Sequence, residues 1–313
     1  MIDLATDTIV VTGGTGFLGG HVVRLLRDLG GQNIYALGSR DYDLRTENGT
    51  ADMILQLAPQ AVIHCAATCG GIGLNKKQPA TMFRDNILMG THLMDLTVRV
   101  NIKVVLVGTC CAYPKFTPVP FKESDLWAGY PEETNAPYGV AKRALLVYAD
   151  AIYRQYDGHV RVACPVLANL YGPGDNFDLE SSHVIPAMIR KMVDAIEGGK
   201  DEVYLWGTGE PTREFLYVDD AARALVRCLT DVDTPEPINF GTGVSISISG
   251  LARLVAHAVG YAGRILFDPS KPDGQPERRL DVSKAHALGW KAEVDLAEGL
   301  ARTVEWYKKE KVQ

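Results

Sequence analysis

The stretch Thr12-Gly13-Gly14-Thr15-Gly16-Phe17-Leu18-Gly19 constrains this chain more than any other. It follows the apolar run DTIVVTG and opens the amphipathic run FLGGHVVRLLRDLG, which stops at Gly30-Gly31. A glycine pattern between a strand and a helix is the sequence form of a dinucleotide-binding turn. Gly13 allows the tight turn, Gly16 lets backbone approach a pyrophosphate, and Gly19 lets helix and strand pack closely. The helix N-terminus then faces the phosphates.

The rest of the first half repeats this alternation. NIYALG, AVIHCAA, KVVLVGT and VRVACPVLANLYG read as strands. DMILQLAP, MFRDNILMGTHLMDLTVRVN and YGVAKRALLVYADAIYRQYDG read as helices. Strands alternating with helices predict a doubly wound parallel sheet of Rossmann type, an α/β fold. The second half is less regular. VIPAMIRKMVDAIEGG, DDAARALVRCLTD, SISGLARLVAHAVGYAG and DLAEGLARTVEWYKKEK read as helices, and PINFGTG as a strand. VYLWGTGEPTREFLYV reads as paired short strands, and RILFDPSKPDGQPERRLDVS as a loop-rich stretch. Asp219 and Asp220 read as helix N-caps. We therefore expect a nucleotide-binding unit of residues 1–170 plus about 214–243. A smaller α/β substrate unit would take about 171–213 plus 244–313.

A length of 313 residues with 46% hydrophobic and 22% charged residues is ordinary for a globular chain. A net charge of -6 argues against a nucleic-acid or anionic-membrane surface. No run is long enough for a membrane span, and the N-terminus lacks the marks of a signal peptide, so a cytoplasmic protein is expected. The cysteines at 65, 69, 110, 111, 164 and 228 show no zinc spacing, and no metal is expected.

Three further features carry chemistry. At the end of the second strand, Gly38-Ser39-Arg40 offers a hydroxyl and a guanidinium and no carboxylate, which favours NADP(H) over NAD. Tyr138 and Lys142 lie four apart on one helix face, so the ammonium is expected to lower the phenol's pKa. Thr109 ends a strand 29 residues upstream of Tyr138 and can share a hydrogen bond to a substrate carbonyl. Together they suggest hydride transfer at a carbonyl, with Tyr138 as proton donor.

The sequence resembles the extended short-chain dehydrogenase/reductases and, among them, the GDP-L-fucose synthase family. The likeness runs nearly end to end. It rests on CGGIGLNKKQPATMFRDN, GTCCAYPKFTPVPFKESDLW, NAPYGVAKRALL, NLYGPGDNFDLESSHVIPAMIRK, WGTGEPTREFLYVDD and SKPDGQPERRLDV. The resemblance implies an NADPH-dependent 3,5-epimerase and 4-reductase acting on a GDP-linked 4-keto-6-deoxyhexose. It gives the acid and base roles to Cys111 and His183, with Cys110 as packing. A thiol and an imidazole ordinarily titrate near about 8.5 and 6.5, so both can exchange protons near neutrality.

It also implies substrate contacts at Lys191, Trp206, Arg213 and Asp273. Cofactor contacts are implied along Gly13–Gly19, at Ser39, Arg40, Asp43, Leu44, Ala66 and Ala67, and at Tyr138, Lys142, Asn169, Leu170 and His183. The family is typically homodimeric, with helices near 76–100 and 138–156 as the expected interface. Glu277 stands where relatives carry a basic residue. A plain 4-ketoreductase or epimerase on another nucleotide-linked 4-keto sugar, a dTDP-deoxysugar or GDP-heptose, stays open, as does the choice of acid and base.

Overall fold

The computed structural model describes residues 2–271 and 273–312. In chain order the first unit contains β1 (Thr8–Thr12), α1 (Phe17–Asp28), β2 (Asn33–Leu37), α2 (Glu47–Leu57), β3 (Ala61–His64), α3 (Ile72–Lys77), α4 (Pro79–Val100), β4 (Lys103–Leu106), β5 (Gly108–Thr109), α5 (Ala136–Gln155) and β6 (Val162–Leu167). Then follow β7 (Asn169–Tyr171), α6 (Val184–Glu197), β8 (Glu202–Trp206), β9 (Thr212–Tyr217), α7 (Val218–Asp231), β10 (Pro237–Phe240), β11 (Ser245–Ser247), α8 (Ile248–Val259), β12 (Arg264–Asp268), β13 (Glu277–Arg278), α9 (Ser283–Ala287) and α10 (Leu296–Val312).

The main sheet has the order β10-β6-β4-β3-β1-β2, with β5 beside β6. Every pair in it is parallel. Helices cover both faces, so β3, β4 and β6 are buried along their whole length and, apart from His64 and Lys103 at strand ends, apolar, as a two-sided parallel sheet demands. The chain steps from β1 to β2 on one side and returns to β3 on the other. That reversal opens a crevice beyond the C-terminal ends of β1 and β3. On the helical layer, α4 and α5 cross at Gly90, where a Cβ would stand 2.3 Å from the Leu145 side chain.

The second core gathers Tyr171, α6, β8, Phe215, Tyr217, α8 and Leu300 to Tyr307. Its strands correct the expected pairing of residues 203–218. β8 pairs with β12, whereas β9 pairs with β7, β11 and β13. The stretch 264–283, expected to be loop-rich, contributes two of those partners. Leu280, Val282, Ala285 and Trp290 pack in the first core, so this segment returns to the nucleotide-binding side.

Asp219 and Asp220 are not caps. Tyr217 occupies the N-cap of α7, and both carboxylates lie in the first turn. Asp219 pairs with His21 and Arg24 of α1. Buried Asp220 accepts from the backbone N–H groups of Glu293 and Val294, both at 3.1 Å. They fasten α7 to its neighbours rather than closing its own end.

The packing of α1 gives a direct test. A Cβ on Gly19 would lie 2.1 Å from the Gly13 carbonyl oxygen, whereas one on Gly20 would find nothing nearer than 3.8 Å. Gly19→Ala should lose roughly 1–3 kcal/mol in urea unfolding by overpacking. Gly20→Ala, one residue on, should gain about 0.5–1 kcal/mol from backbone entropy.

Candidate active site

The glycine loop sits at the crevice. Gly13 has φ +66°, and a Cβ there would meet the Ala66 nitrogen at 2.8 Å. Only glycine satisfies both the left-handed turn and that contact. Gly16 caps α1 with no side chain accepting from the first turn, so those N–H groups stay available to an anion. Thr15 and Gly16 are exposed, Phe17 and Leu18 half-buried at the lip, and Ala66 and Ala67 line the opposite side at the exit of β3. This cradle fits a dinucleotide pyrophosphate.

At the end of β2, Ser39 and Arg40 are exposed. Arg40 makes no hydrogen bond or ion pair with the described residues. A carboxylate does reach this place, contrary to the sequence reading: Asp41 folds back and its Oδ2 accepts from the Gly38 N–H at 2.7 Å. Asp43 is clamped by Arg45 at 2.8 and 2.9 Å, which holds its carboxyl below the ordinary value. Leu44 is buried in the core, and its carbonyl accepts from His92.

The candidate reacting groups lie near the ends of β5 and β6. After Thr109 the chain makes a single 3₁₀ turn over Cys110–Ala112, and the Thr109 hydroxyl accepts from the Cys111 N–H at 3.2 Å. Helix α5 lies directly on this turn. A Cβ on Gly139 would stand 2.3 Å from the Cys111 carbonyl oxygen, so only glycine lets Tyr138 come this close to Cys111.

Tyr138 departs from expectation. Its phenol is pushed well above the ordinary value, first by burial and then by Cys69, Cys111 and Cys110, with the Thr109 hydroxyl opposing. The Lys142 charge does not offset this. The Lys142 ammonium is buried, donates to the Val107 carbonyl at 3.1 Å, and is itself pulled down by burial. Its charge falls instead on His64, which burial and Lys142 together push down to about 3. His64 is thus neutral and shares a 2.9 Å hydrogen bond with the Thr12 hydroxyl. The phenol keeps its proton, the form a proton donor requires.

Cys111 is the opposite case. Its thiol is held well below the ordinary value, first by a hydrogen bond from Cys110 and then, against burial, by the Arg278 charge. Arg278 Nη1 lies 3.2 Å from Cys111 Sγ and 3.9 Å from Cys110 Sγ. Cys110 is therefore more than packing: it also contacts Asn169 Oδ1 at 3.8 Å. Asn169 in turn donates to the Glu214 carbonyl, and Leu170 is half-buried beside it. Sequence reading missed Arg278 because it treated QPERRLD as loop. In β13 alternation turns Glu277 outward and Arg278 inward.

His183 is exposed at the N-cap of α6 with no capping bond. Its charge acts on Asp175, another residue that sequence reading missed. Asp175 is 8% exposed, its Oδ1 accepts from the Asn176 N–H, and its Oδ2 has no partner among the described residues.

The four substrate candidates lie on the second unit. Lys191 donates to the Tyr204 carbonyl at 2.8 Å, and Trp206 is 54% exposed with Lys271 Nζ 5.9 Å from its ring. Arg213 pairs across the sheet with Arg278 and is pulled down to about 10 by burial and by that neighbour. The Asp273 carboxylate accepts from the Thr208 N–H and hydroxyl at 2.7 and 2.8 Å, so it shapes the 207–209 turn.

Asp175 makes the site's electrostatics measurable. Burial pushes its carboxyl up from 3.8 to about 6, so between those values the folded chain holds a proton that the unfolded chain has released. That contribution is complete below the unfolded value and is lost as pH rises through about 6. Asp175→Asn should therefore be more stable than the parent at pH 8, by at most about 3 kcal/mol. The gain should fade towards pH 4 in urea unfolding; a pH-independent difference would contradict this.

The model of the NAD dependent epimerase/dehydratase family matches residues 9–241. GDP-L-fucose synthase 1 of Arabidopsis thaliana is 38% identical over 302 residues, covering 96% of this chain and 93% of its own. GDP-L-fucose synthase of Escherichia coli is 35% identical over 314 residues, covering 97% of each. The crystal structure of a GDP-L-fucose synthetase from Naegleria fowleri bound to NADP superposes with a TM-score of 0.91 at 28% identity, covering 100% of this chain and 96% of that one. With its glycine cradle, its Tyr138–Lys142 helix and a match spanning most of its length, the chain belongs to the NAD dependent epimerase/dehydratase family.

Proposed function

We propose that this protein is an NADPH-dependent 3,5-epimerase and 4-reductase that converts GDP-4-keto-6-deoxy-D-mannose to GDP-L-fucose. The observation that carries the reading is the Gly139 contact. It lets the helix that carries Tyr138, whose phenol is pushed up by burial, lie against the turn that carries Cys111, whose thiol is held well below the ordinary value; a donor phenol and an acidified thiol are what this pair of reactions needs. The full-length likeness to GDP-L-fucose synthases supports the same substrate.

The 4-keto group acidifies the hydrogens at C3 and C5, because the carbanion is stabilised as an enolate. At each of the two carbons in turn, Cys111, anionic beside Arg278, takes a proton from one face and the exposed His183 returns one to the other; the sulfur releases its proton to solvent and His183 regains one before the second carbon reacts. Thr109 donates a hydrogen bond to the oxygen at C4, stabilising the charge that develops there. The glycine loop would hold NADPH, which would supply the hydride for C4. Tyr138 gives the proton to the resulting alkoxide. Lys142, anchored on Val107, sits one helical turn away to hold the ribose and restore charge balance. Arg213 and Lys191 offer the diphosphate two cations. Arg40, free of partners among the described residues, meets the 2′-phosphate.

Among the described residues no helix is long and apolar enough to cross a membrane. A cytoplasmic location and a homodimer formed through the outer faces of α4 and α5, where Phe83 and Val147 are exposed, complete the proposal.

The test is turnover of GDP-4-keto-6-deoxy-D-mannose with NADPH or NADH, the product identified by NMR. GDP-L-fucose should form, faster with NADPH. Arg40→Ala should raise the KM for NADPH roughly 10- to 100-fold, the worth of a charge-assisted phosphate contact, and leave NADH unchanged. A product reduced at C4 with C3 and C5 unchanged would make the protein a plain ketoreductase. Equal use of both cofactors would remove Arg40 from the site.

A further inference from the structure

Arg278 is a buried guanidinium, 6% exposed, without a carboxylate partner among the described residues. Arginine does not shed its proton in a protein, so a buried guanidinium needs an anion nearby. What faces Nη1 is sulfur: Cys111 Sγ at 3.2 Å and Cys110 Sγ at 3.9 Å. The far side of the fork is fixed. Gln275 Oε1 accepts from Arg278 Nε at 3.3 Å and from Nη2 at 3.2 Å. Gln275 Nε2 in turn donates to the Lys115 carbonyl at 2.8 Å. The register of β13 on β9 sets Arg278 opposite Arg213, so both cations enter the site from the second unit while the sulfur comes from the first.

We propose that Arg278 is a positioning residue for proton transfer at Cys111, its guanidinium serving as the counter-ion that keeps this sulfur anionic and its fork fixing where the sulfur points. The proposal rests on the reading of Cys111 as the proton-transfer group. The other groups acting at this sulfur are Cys110, whose S–H donates to it, the Thr109 hydroxyl, Arg213, Cys69 and Tyr138. Of these only Arg213 is a second cation, and it is already bonded to the Thr212 and Asp273 carbonyls. Removing Arg278 therefore leaves the sulfur with its Cys110 hydrogen bond and no guanidinium against it.

The experiment reads the thiolate without substrate. Full-length protein is alkylated with iodoacetamide from pH 5 to 10, and modification of Cys111 is followed by peptide mass spectrometry, since only the thiolate reacts. Parent protein should react through a midpoint well below the ordinary thiol range. Arg278→Met should move that midpoint upward and slow alkylation at pH 7 at least about tenfold, because below its midpoint a thiol loses roughly tenfold in thiolate for each pH unit. Arg278→Lys, which keeps the charge and loses the fork to Gln275, should fall between. Cys110→Ser separates the neighbouring hydrogen bond from the cation.

Should Arg278→Met fail to fold by circular dichroism, Arg278→Lys decides: a midpoint above the parent's supports the proposal. An unchanged midpoint in the folded variants overturns it. Because no nucleotide sugar is present, a raised midpoint in a protein that fails to make GDP-L-fucose would sink the functional reading and leave the counter-ion standing. Turnover with an unchanged midpoint would do the reverse.

Discussion

Parallel pairing of β1, β3, β4 and β6 is the constraint on which the rest depends. In a parallel sheet all strands end on the same edge, so every loop that leaves a strand leaves towards one crevice. The glycine turn follows β1, Ala66 follows β3, and Thr109 ends β5 with Cys111 just after it. Asn169 follows β6. Residues far apart in sequence meet because their strands share a direction. Close approach then depends on missing side chains. Gly19 lets α1 lie on Gly13, Gly139 lets α5 lie on Cys111, and Gly90 lets α4 cross α5.

Two buried polar residues fasten the segment after β13 at this edge. Glu214 on β9 is 1% exposed, and its carboxylate accepts from the N–H groups of Gly243 and Leu280, both at 2.7 Å. Asn239 on β10 is fully buried. Its side chain donates to the carbonyls of Phe121 and Asp281 and accepts from the Tyr113 hydroxyl at 2.7 Å. Such groups are costly unless every bond is made, so they fix one arrangement of the chain. These clamps carry the segment after β13 back past the Cys110–Cys111 turn. They are why Arg278 can reach a sulfur 167 residues earlier in the chain.

What the sequence made legible follows from range. The glycine loop, the main helices and the central strands were readable because their signals are local: apolar runs, helical periodicity, and glycine at a strand-to-helix junction. β13 was not, because a two-residue strand exists only through its partner β9. Arg278 was hidden for the same reason. The Asp41 fold-back and the anchoring roles of Asp219 and Asp220 depend on contacts no local pattern reports. The Tyr138 phenol misled in a different way. Spacing placed Lys142 near it correctly, but burial and the neighbouring sulfurs outweigh a cation already bound to Val107. Cys111, His183 and the substrate contacts came from resemblance rather than from any pattern in the residues.

The central claim is that one crevice carries two separable proton chemistries, exchange at carbon through Cys111 and protonation of oxygen through Tyr138. It is tested most directly by deuterium wash-in to GDP-4-keto-6-deoxy-D-mannose in D2O without NADPH, followed by mass spectrometry, in the parent, Tyr138→Phe and Cys111→Ser. Two deuterons should be gained, at C3 and C5, by the parent and by Tyr138→Phe, and neither by Cys111→Ser. Wash-in that survives loss of the sulfur, or that disappears with the phenol, would contradict it.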